Sequence, residues 1–197
     1  MPDYLFCYGS LICKESRDGT GQTGRALPVV VEGLQRSWNA VIDDPHYRMT
    51  AVGAMPEEGA RCNGILVEVA AAELPKFDAR EKGYPRTPID REKIHPLLDF
   101  GVPSGNIFFY PINNPGTPTQ ENPIPQTYVD VILTGCLGVS EEFTRDFICS
   151  TNGWDSPWVN DRKKPRYPGT RITAPTDTID ALLRELVPAF AKRVNVA

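Results

Sequence analysis

The sequence lacks the features that mark several large classes of protein. Its 197 residues contain no long basic run and carry a net charge of −4, whereas a surface that binds nucleic acid is expected to be basic. No apolar stretch reaches the length of a membrane span. The first residues show neither the basic nor the apolar region of a secretory signal. We therefore expect a cytoplasmic protein that has no nucleic-acid or membrane partner.

Histidine and paired cysteine are also scarce. The two histidines, His46 and His95, are far apart, and neither is near paired cysteines, so the sequence does not favour a zinc site. The five cysteines are odd in number, scattered and without a C-x-x-C pair, which is typical of reduced cytosolic thiols. With so little histidine, a His-dependent catalytic triad is also disfavoured.

What is present is the composition of an ordinary globular domain, with 41% hydrophobic and 23% charged residues. The length predicts a single domain over residues 1–197, with a barrel core at 1–135 and a helical C-terminal extension at 136–197. Strand patterns come first and helix patterns last. This order predicts an α+β fold in which a small mixed β-barrel is flanked by helices.

The predicted elements follow from the periodicity of apolar residues and from the turn residues between them. Strand patterns cover residues 4–8, 26–41, 49–55, 62–70, 84–94 and 106–112. Helix patterns cover residues 71–83, 126–139 and 140–150 and an apolar stripe from 179 to 190, with Ser140 as a plausible N-cap. Loops, turns or irregular segments are predicted at residues 14–24, 56–60, 113–125 and 151–171.

The short helix predicted over residues 71–83 carries a carboxylate that points inward. Leu74, Phe77 and Glu81 are spaced at i, i+3 and i+7, so they share one face of the helix. If Leu74 and Phe77 pack into the core, Glu81 faces the core as well. Burial and the negative end of the helix dipole both raise the pKa of a carboxyl group, toward the range that is useful for moving protons near neutral pH.

Two other interpretations of this helix remain open. The first is a solvated Glu81 at a frayed helix end, paired with Arg80 or Lys82, as is typical of surface glutamates, and the helix pattern alone favours this interpretation. The second is that Asp78 is the inward carboxylate, since it shares part of the same face.

The first strand ends in a turn, within the segment FCYGSLI at residues 6–12. A strand that ends at Gly9 can turn sharply and present successive backbone N–H groups to a carboxylate or a developing oxyanion, and Ser10 adds a hydroxyl group. An ordinary turn explains the same residues. Ser10 is disfavoured as a nucleophile because the sequence has no G-x-S-x-G motif and no plausible histidine partner.

In combination, FCYGSLI, ARCNGILVEV and LPKFDAREKGYPRTPID resemble the gamma-glutamylcyclotransferase-like family. That family opens with a Y-G-S loop and later carries a G-x-hydrophobic strand, followed by a helix that ends in D-x-x-E and then Tyr. The resemblance covers about residues 4 to 135 and rests on the order and spacing of the motifs. The matching positions are Tyr8, Gly9, Ser10, Leu11, Gly64, Asp78, Glu81 and Tyr84.

The resemblance implies an activity and a set of site residues. Glu81 would be the catalytic acid/base, and Tyr84 and the loop would bind the γ-glutamyl group. The implied reaction, of the lyase or acyltransferase type, cyclises a small-molecule γ-glutamyl amide to 5-oxoproline and releases an amine. It needs neither a metal nor an organic cofactor. The loop implied for binding consists of Tyr8, Gly9, Ser10 and Leu11.

The leaving group is not fixed by this resemblance. Leu11 stands where the metazoan gamma-glutamylcyclotransferases have Asn, as in the glutathione-specific ChaC-type and the AIG2-like branches. A glutathione-specific enzyme and a non-catalytic binding module that keeps the pocket therefore remain alternatives. A carboxylate at position 81 argues against the binding module, since a pure binder gains little from a desolvated acid.

The segment at residues 151–168 is rich in tryptophan and arginine. Four of its side chains are suited either to bind the leaving group or to anchor a loop that covers the barrel. These are Trp154, Trp158, Arg162 and Arg166. Three aromatic residues elsewhere are expected in the core or the pocket wall: Trp38, Tyr47 and Tyr110. The sequence does not predict the oligomeric state.

Overall fold

The structure is a computed structural model that describes residues 2–44, 46–167 and 173–195. The helices in these residues are α1 (Lys14–Asp18), α2 (Leu74–Arg80), α3 (Gln126–Leu137), α4 (Glu141–Ser150) and α5 (Thr176–Leu186). The strands in the first half are β1 (Asp3–Cys7), β2 (Ala26–Asp44), β3 (Tyr47–Val69), β4 (Thr87–Pro88) and β5 (Ile94–Pro96). The later strands are β6 (Ile107–Phe109), β7 (Ile124–Pro125), β8 (Thr151–Asn152), β9 (Trp158–Asn160) and β10 (Val194–Asn195).

The main sheet is mixed and curled. In the described residues it runs in the order β4-β6-β1-β3-β2-β5, with β8 added beside β2. β1 pairs antiparallel with β3 and parallel with β6. The predicted α+β class is confirmed, although the sheet closes only halfway and forms a half-barrel. A second, small sheet of β10, β9 and β7 lies in the C-terminal part of the chain.

The hairpin of β2 and β3 forms the longest part of the sheet. Residues 34–40 of β2 alternate between buried and partly buried positions, whereas β3 has two runs of consecutive buried residues, at 49–54 and 62–67, because both faces of the sheet are covered there. The predicted bend at Gly33 is present, because Gly33 has a φ of 78° and interrupts the pairing register. The prediction of two strands separated by a turn at residues 56–60 is wrong. β3 is continuous, and residues 57–60 bulge out of register between the pairs Leu34–Pro56 and Glu32–Arg61.

The close approach of β1 to β3 requires the glycine at position 64. Cys7 pairs with Ile65, and a Cβ atom at Gly64 would lie 2.5 Å from the carbonyl oxygen of Cys7 and 2.6 Å from Cε2 of Phe6. Any larger residue would push the two strands apart. Gly64 therefore fixes where β1 ends and where the following turn begins.

The region predicted as a loop at residues 14–24 contains α1, so that prediction is partly wrong. Arg17 on this helix is buried, and its Nη1 atom donates hydrogen bonds to the carbonyl oxygens of Leu11 at 2.8 Å and Ile12 at 2.6 Å. The helix depends on this tertiary contact rather than on an apolar stripe, which is why the polar sequence did not indicate it.

The C-terminal helices follow the predicted pattern. Ser140 caps α4, since its hydroxyl oxygen accepts a hydrogen bond from the N–H of Phe143 at 3.0 Å. The stripe predicted up to residue 190 is divided between α5 and a 3₁₀ turn, Pro188–Lys192, which buries Phe190. Residues 168–171 of the predicted irregular segment lie outside the described residues. No helix in the described part of the chain is long and apolar enough to cross a membrane.

A buried arginine joins the sheet to the C-terminal helices. Arg36 on β2 is fully buried, and its guanidinium group stacks on the ring of Phe147 at 3.5 Å from the centroid. It donates hydrogen bonds to Oγ1 of Thr151 at 2.7 Å, to the carbonyl oxygen of Asn63 at 2.7 Å and to Oγ of Ser150 at 2.9 Å. The alternation pattern of a strand did not predict this network, because a buried arginine interrupts it.

Candidate active site

A cavity of about 350 Å³ lies between the turn after β1, the β2–β3 hairpin and the end of α2. The turn and α2 come from segments about 65 residues apart in sequence, and the fold brings both into the wall of one cavity. All six residues that the resemblance implied for the site line this cavity. They are Tyr8, Gly9, Ser10, Leu11, Glu81 and Tyr84.

Glu81 occupies the cap position just after α2, not the last helical turn that the sequence predicted. Its N–H donates a hydrogen bond to the carbonyl oxygen of Phe77 at 2.9 Å, while Leu74 and Phe77 pack in the core as expected. The side chain is 23% exposed, and Oε1 lies 3.5 Å from Nε of Arg80. Burial raises the pKa of the Glu81 carboxyl group above its ordinary value of 4.5, and the charge of Arg80 opposes part of this rise.

Asp78, the alternative carboxylate, points elsewhere. Its side chain is 43% exposed, and it accepts hydrogen bonds from the hydroxyl group of Tyr110 at 2.8 Å and from Nη1 of Arg86 at 3.3 Å. Asp78 does not line the cavity. Among the described residues, Glu81 is therefore the one carboxylate in the cavity wall.

The turn after β1 forms a short 3₁₀ segment, Ser10–Ile12. The N–H groups of Ile12 and Cys13 donate back to the carbonyl oxygens of Gly9 at 2.9 Å and Ser10 at 3.1 Å. The first amides of such a turn, those of Ser10 and Leu11, have no acceptor within the turn, and both residues line the cavity. The turn thus offers N–H donors to a bound carboxylate or oxyanion.

Arg80 forms hydrogen bonds to several segments that surround the cavity. Its Nη2 atom donates to the hydroxyl oxygens of Ser10 and Tyr167, each at 3.2 Å. Nη1 donates to Oγ1 of Thr20 at 2.7 Å. The guanidinium group therefore places a positive charge beside the turn and next to Glu81. In the described part of the chain, no other cationic residue lines the cavity.

Tyrosine dominates the rest of the wall. Of the seven tyrosines in the chain, six line the cavity: Tyr8, Tyr47, Tyr84, Tyr110, Tyr128 and Tyr167. Burial, and after it the negative charge of Glu81, raises the pKa of Tyr84 above its ordinary value of 10.0, so its hydroxyl group stays neutral at physiological pH. Tyr128 and Tyr167 were not predicted as site residues, because no sequence motif marks them.

The four side chains considered for the leaving group do not line the cavity. Trp154 packs against Trp38 with 5.0 Å between the ring centroids, and Trp158 is buried. Arg162 pairs with Asp130, and Nη1 of Arg166 donates to the carbonyl oxygen of Arg48 at 3.2 Å. The second interpretation, that these residues anchor a loop that covers the sheet, agrees with these contacts. Tyr167 is the residue through which this segment reaches the cavity.

No cluster of three or more histidine, cysteine, aspartate or glutamate side chains suited to a metal ion occurs among the residues that the structure describes. The imidazole of His95 instead lies 3.1 Å from Oε1 of Glu32 on an exposed edge of the sheet.

Comparisons with known proteins bear on the fold. No protein-family model matches the sequence, and no curated protein does. A solved structure of a gamma-glutamyl cyclotransferase is similar over 94% of this chain and 99% of that protein, with a TM-score of 0.57 and 11% identity. The crystal structure of YkqA from Bacillus subtilis is similar over 74% of this chain, with a TM-score of 0.51 and 18% identity, and this chain spans 52% of its length. The chain therefore has the gamma-glutamylcyclotransferase-like fold, as the sequence resemblance predicted.

Proposed function

We propose that this protein is an enzyme of the gamma-glutamyl cyclotransferase type, which converts a γ-glutamyl amide to 5-oxoproline and a free amine. The observation that carries the proposal is the position of Glu81. It is a largely desolvated carboxylate in the wall of a cavity that the turn after β1 also lines. The gamma-glutamyl cyclotransferase of similar fold supports the reaction class.

The substrate supplies its own nucleophile in this reaction. Its α-amine attacks the side-chain carbonyl carbon, a new C–N bond closes the five-membered lactam, and the C–N bond to the leaving amine breaks. Since the attack is intramolecular, proximity is already provided. The protein has to take a proton from the α-ammonium group and give one to the departing nitrogen.

We assign the catalytic proton transfers to Glu81. Its carboxylate accepts one proton of the α-ammonium group, and the resulting acid then donates that proton to the leaving nitrogen. The second proton that the attacking nitrogen loses as the lactam forms is taken up by the released amine, which leaves as an ammonium ion. A raised pKa favours this double role, because the acid and the base are then both accessible near neutral pH. The reaction ends with Glu81 ionised again.

The turn after β1 and Arg80 are placed to hold the charged groups of the glutamyl moiety. We assign the amides of Ser10 and Leu11 to the α-carboxylate or to the oxyanion of the tetrahedral intermediate. Arg80 keeps this turn in position through its contact with the hydroxyl group of Ser10, and its positive charge favours an anion beside the turn. Tyr84 would bound the same end of the cavity.

Incubation with a panel of γ-glutamyl compounds tests this proposal. The panel contains γ-glutamyl amino acids, γ-glutamyl amines and glutathione, and 5-oxoproline is measured by mass spectrometry. We expect 5-oxoproline to form from at least one class, at a rate that is proportional to enzyme concentration. If no compound is converted while calorimetry shows that they bind, the protein is a binding module and the proposed activity is wrong.

A further inference from the structure

The cavity has a charged end and an uncharged end, arranged along the β2–β3 hairpin. Val52 lies at the charged end, since a Cβ atom at Gly9 would be 2.9 Å from its Cγ2 atom. From Val52 the cavity follows β3 through Met49 to Tyr47. At a rise of about 3.3 Å per residue, Met49 is roughly 10 Å and Tyr47 roughly 16 Å beyond Val52.

The far wall consists of apolar side chains. Ala40 and Ile42 on β2 pair with Ala51 and Met49 on β3, and all four line the cavity. Met49 is completely buried. Tyr47, Met49 and Ala51 occupy alternate positions of β3, so their side chains share one face of the strand, and all three line the cavity.

The charged side chains at this end of the hairpin lie on the face that points away from the cavity. Arg48 alternates away from the cavity, and its Nε atom pairs with Oδ1 of Asp43 at 2.8 Å. Within the described residues, the charged side chains that line the cavity are Arg80 and Glu81, and both are at the glutamyl end. No described cation is therefore available at the far end to pair with an anionic leaving group.

This distribution of charge discriminates between classes of leaving group. An amino acid or the cysteinylglycine of glutathione carries a carboxylate, and this carboxylate would lose water without gaining a cationic partner among the residues that the structure describes. An alkyl or aromatic amine has no such group, and it gains favourable burial against Ile42 and Met49. The cavity volume of about 350 Å³ is near the small end for ligand pockets, which fits a glutamyl group with one short chain.

We infer that the preferred substrates are γ-glutamyl amides whose amine part is apolar and carries no charged group, rather than γ-glutamyl amino acids or glutathione. This inference rests on the proposed function, because it names the leaving group of the same reaction. The far half of the cavity, with Ile42 and Met49 in its wall, is the site that selects the amine.

A matched pair of substrates tests the inference. γ-Glutamylpentylamide and γ-glutamylnorleucine have the same alkyl chain and differ only in the carboxylate of the leaving group. We expect kcat/KM to be higher for the pentylamide by about tenfold or more, because the carboxylate of norleucine is left unpaired. Equal values, or a preference for norleucine or glutathione, would overturn the inference while leaving the proposed reaction intact.

A gain-of-function variant sharpens the test. Ile42 is half-buried in the far wall, so Ile42→Arg brings a cation there, and Ile42→Gln is the matched uncharged control. We expect Ile42→Arg, but not Ile42→Gln, to shift the ratio of the two kcat/KM values toward the norleucine compound by about tenfold. An identical ratio in both variants would show that the far wall does not contact the leaving group.

Binding measurements separate a failure of the inference from a failure of the proposed function. Calorimetry with Glu81→Gln gives the dissociation constants of both compounds without turnover. If the parent protein converts neither compound but binds the pentylamide about tenfold more tightly, the proposed activity is wrong and the inferred preference holds. Equal affinities, or tighter binding of the norleucine compound, overturn the preference whether or not turnover occurs.

Discussion

Replacing Glu81 by Gln is the perturbation that tests the proposed mechanism most directly. Gln keeps the shape of the side chain but cannot ionise, so the variant loses both proton transfers. General acid–base catalysis contributes about 10²–10⁴-fold, which corresponds to about 2.7–5.4 kcal/mol at 1.36 kcal/mol per tenfold. Since no other described carboxylate lines the cavity, no group replaces Glu81, and we expect a loss in the upper half of that range.

The assay is formation of 5-oxoproline at several pH values, with kcat and KM determined separately. The loss should fall on kcat, since the ion pair of Glu81 with Arg80, at 3.5 Å and partly exposed, contributes little to binding. In the parent protein, kcat/KM should rise with pH along a limb whose midpoint lies above 4.5, because burial raises the pKa of Glu81. Glu81→Gln should lack this limb.

Asp78→Asn is the matched control, because it removes the same charge from α2 one turn earlier. Asn keeps the oxygen that accepts the hydrogen bond of Tyr110, and the side chain is 43% exposed. We expect kcat/KM to stay within about threefold of the parent value, as is usual for exposed substitutions. Turnover by Glu81→Gln within tenfold of the parent, or a larger loss in Asp78→Asn, would refute the assignment.

Two further predictions concern stability and the turn after β1. Burial raises the pKa of Glu81 in the folded state, so the parent protein loses stability as the pH rises from about 4.5 through that pKa. In urea unfolding, the free energy of unfolding of Glu81→Gln minus that of the parent should therefore be larger at pH 7 than at pH 4. A difference that does not change with pH would contradict this. Gly9→Ala should cost about 1–3 kcal/mol of stability and lower kcat/KM, because its Cβ atom would lie 2.9 Å from Cγ2 of Val52. Gly9→Ala with Val52→Ala should recover part of both losses, and strict additivity of the two substitutions would disprove the clash.

Elements with a strong local pattern were predictable from the sequence. The i, i+3, i+7 spacing of Leu74, Phe77 and Glu81 predicted the inward face of α2, and Ser140 predicted the start of α4. α1 was missed because its stabilising contact, the hydrogen bonding of Arg17 to the carbonyl oxygens of the turn after β1, leaves no periodic apolar pattern in the sequence. The strands β7, β9 and β10 are only two or three residues long and pair only with one another, so they have no periodicity to detect.

The charged end of the cavity was predictable and the far wall was not. Tyr8 to Leu11 and Glu81 belong to short motifs whose order carries the family resemblance. Ile42 and Met49 have no motif, since any half-buried hairpin shows the same alternation. They reach the cavity because the register set at the end of the hairpin, where Asp44 pairs with Tyr47, pairs Ile42 with Met49 and shifts only between Ala40 and Trp38.

Arg36 has a consequence for how the chain folds. The acceptors around its guanidinium group come from both parts of the chain, with Asn63 in the N-terminal part and Ser150 and Thr151 beyond residue 140. A protein ended at residue 135 would keep the cation inside the sheet but lose the ring of Phe147 and two of its hydroxyl partners. We therefore expect the N-terminal sheet to depend on the C-terminal helices for its stability, because without them a buried cation keeps fewer partners.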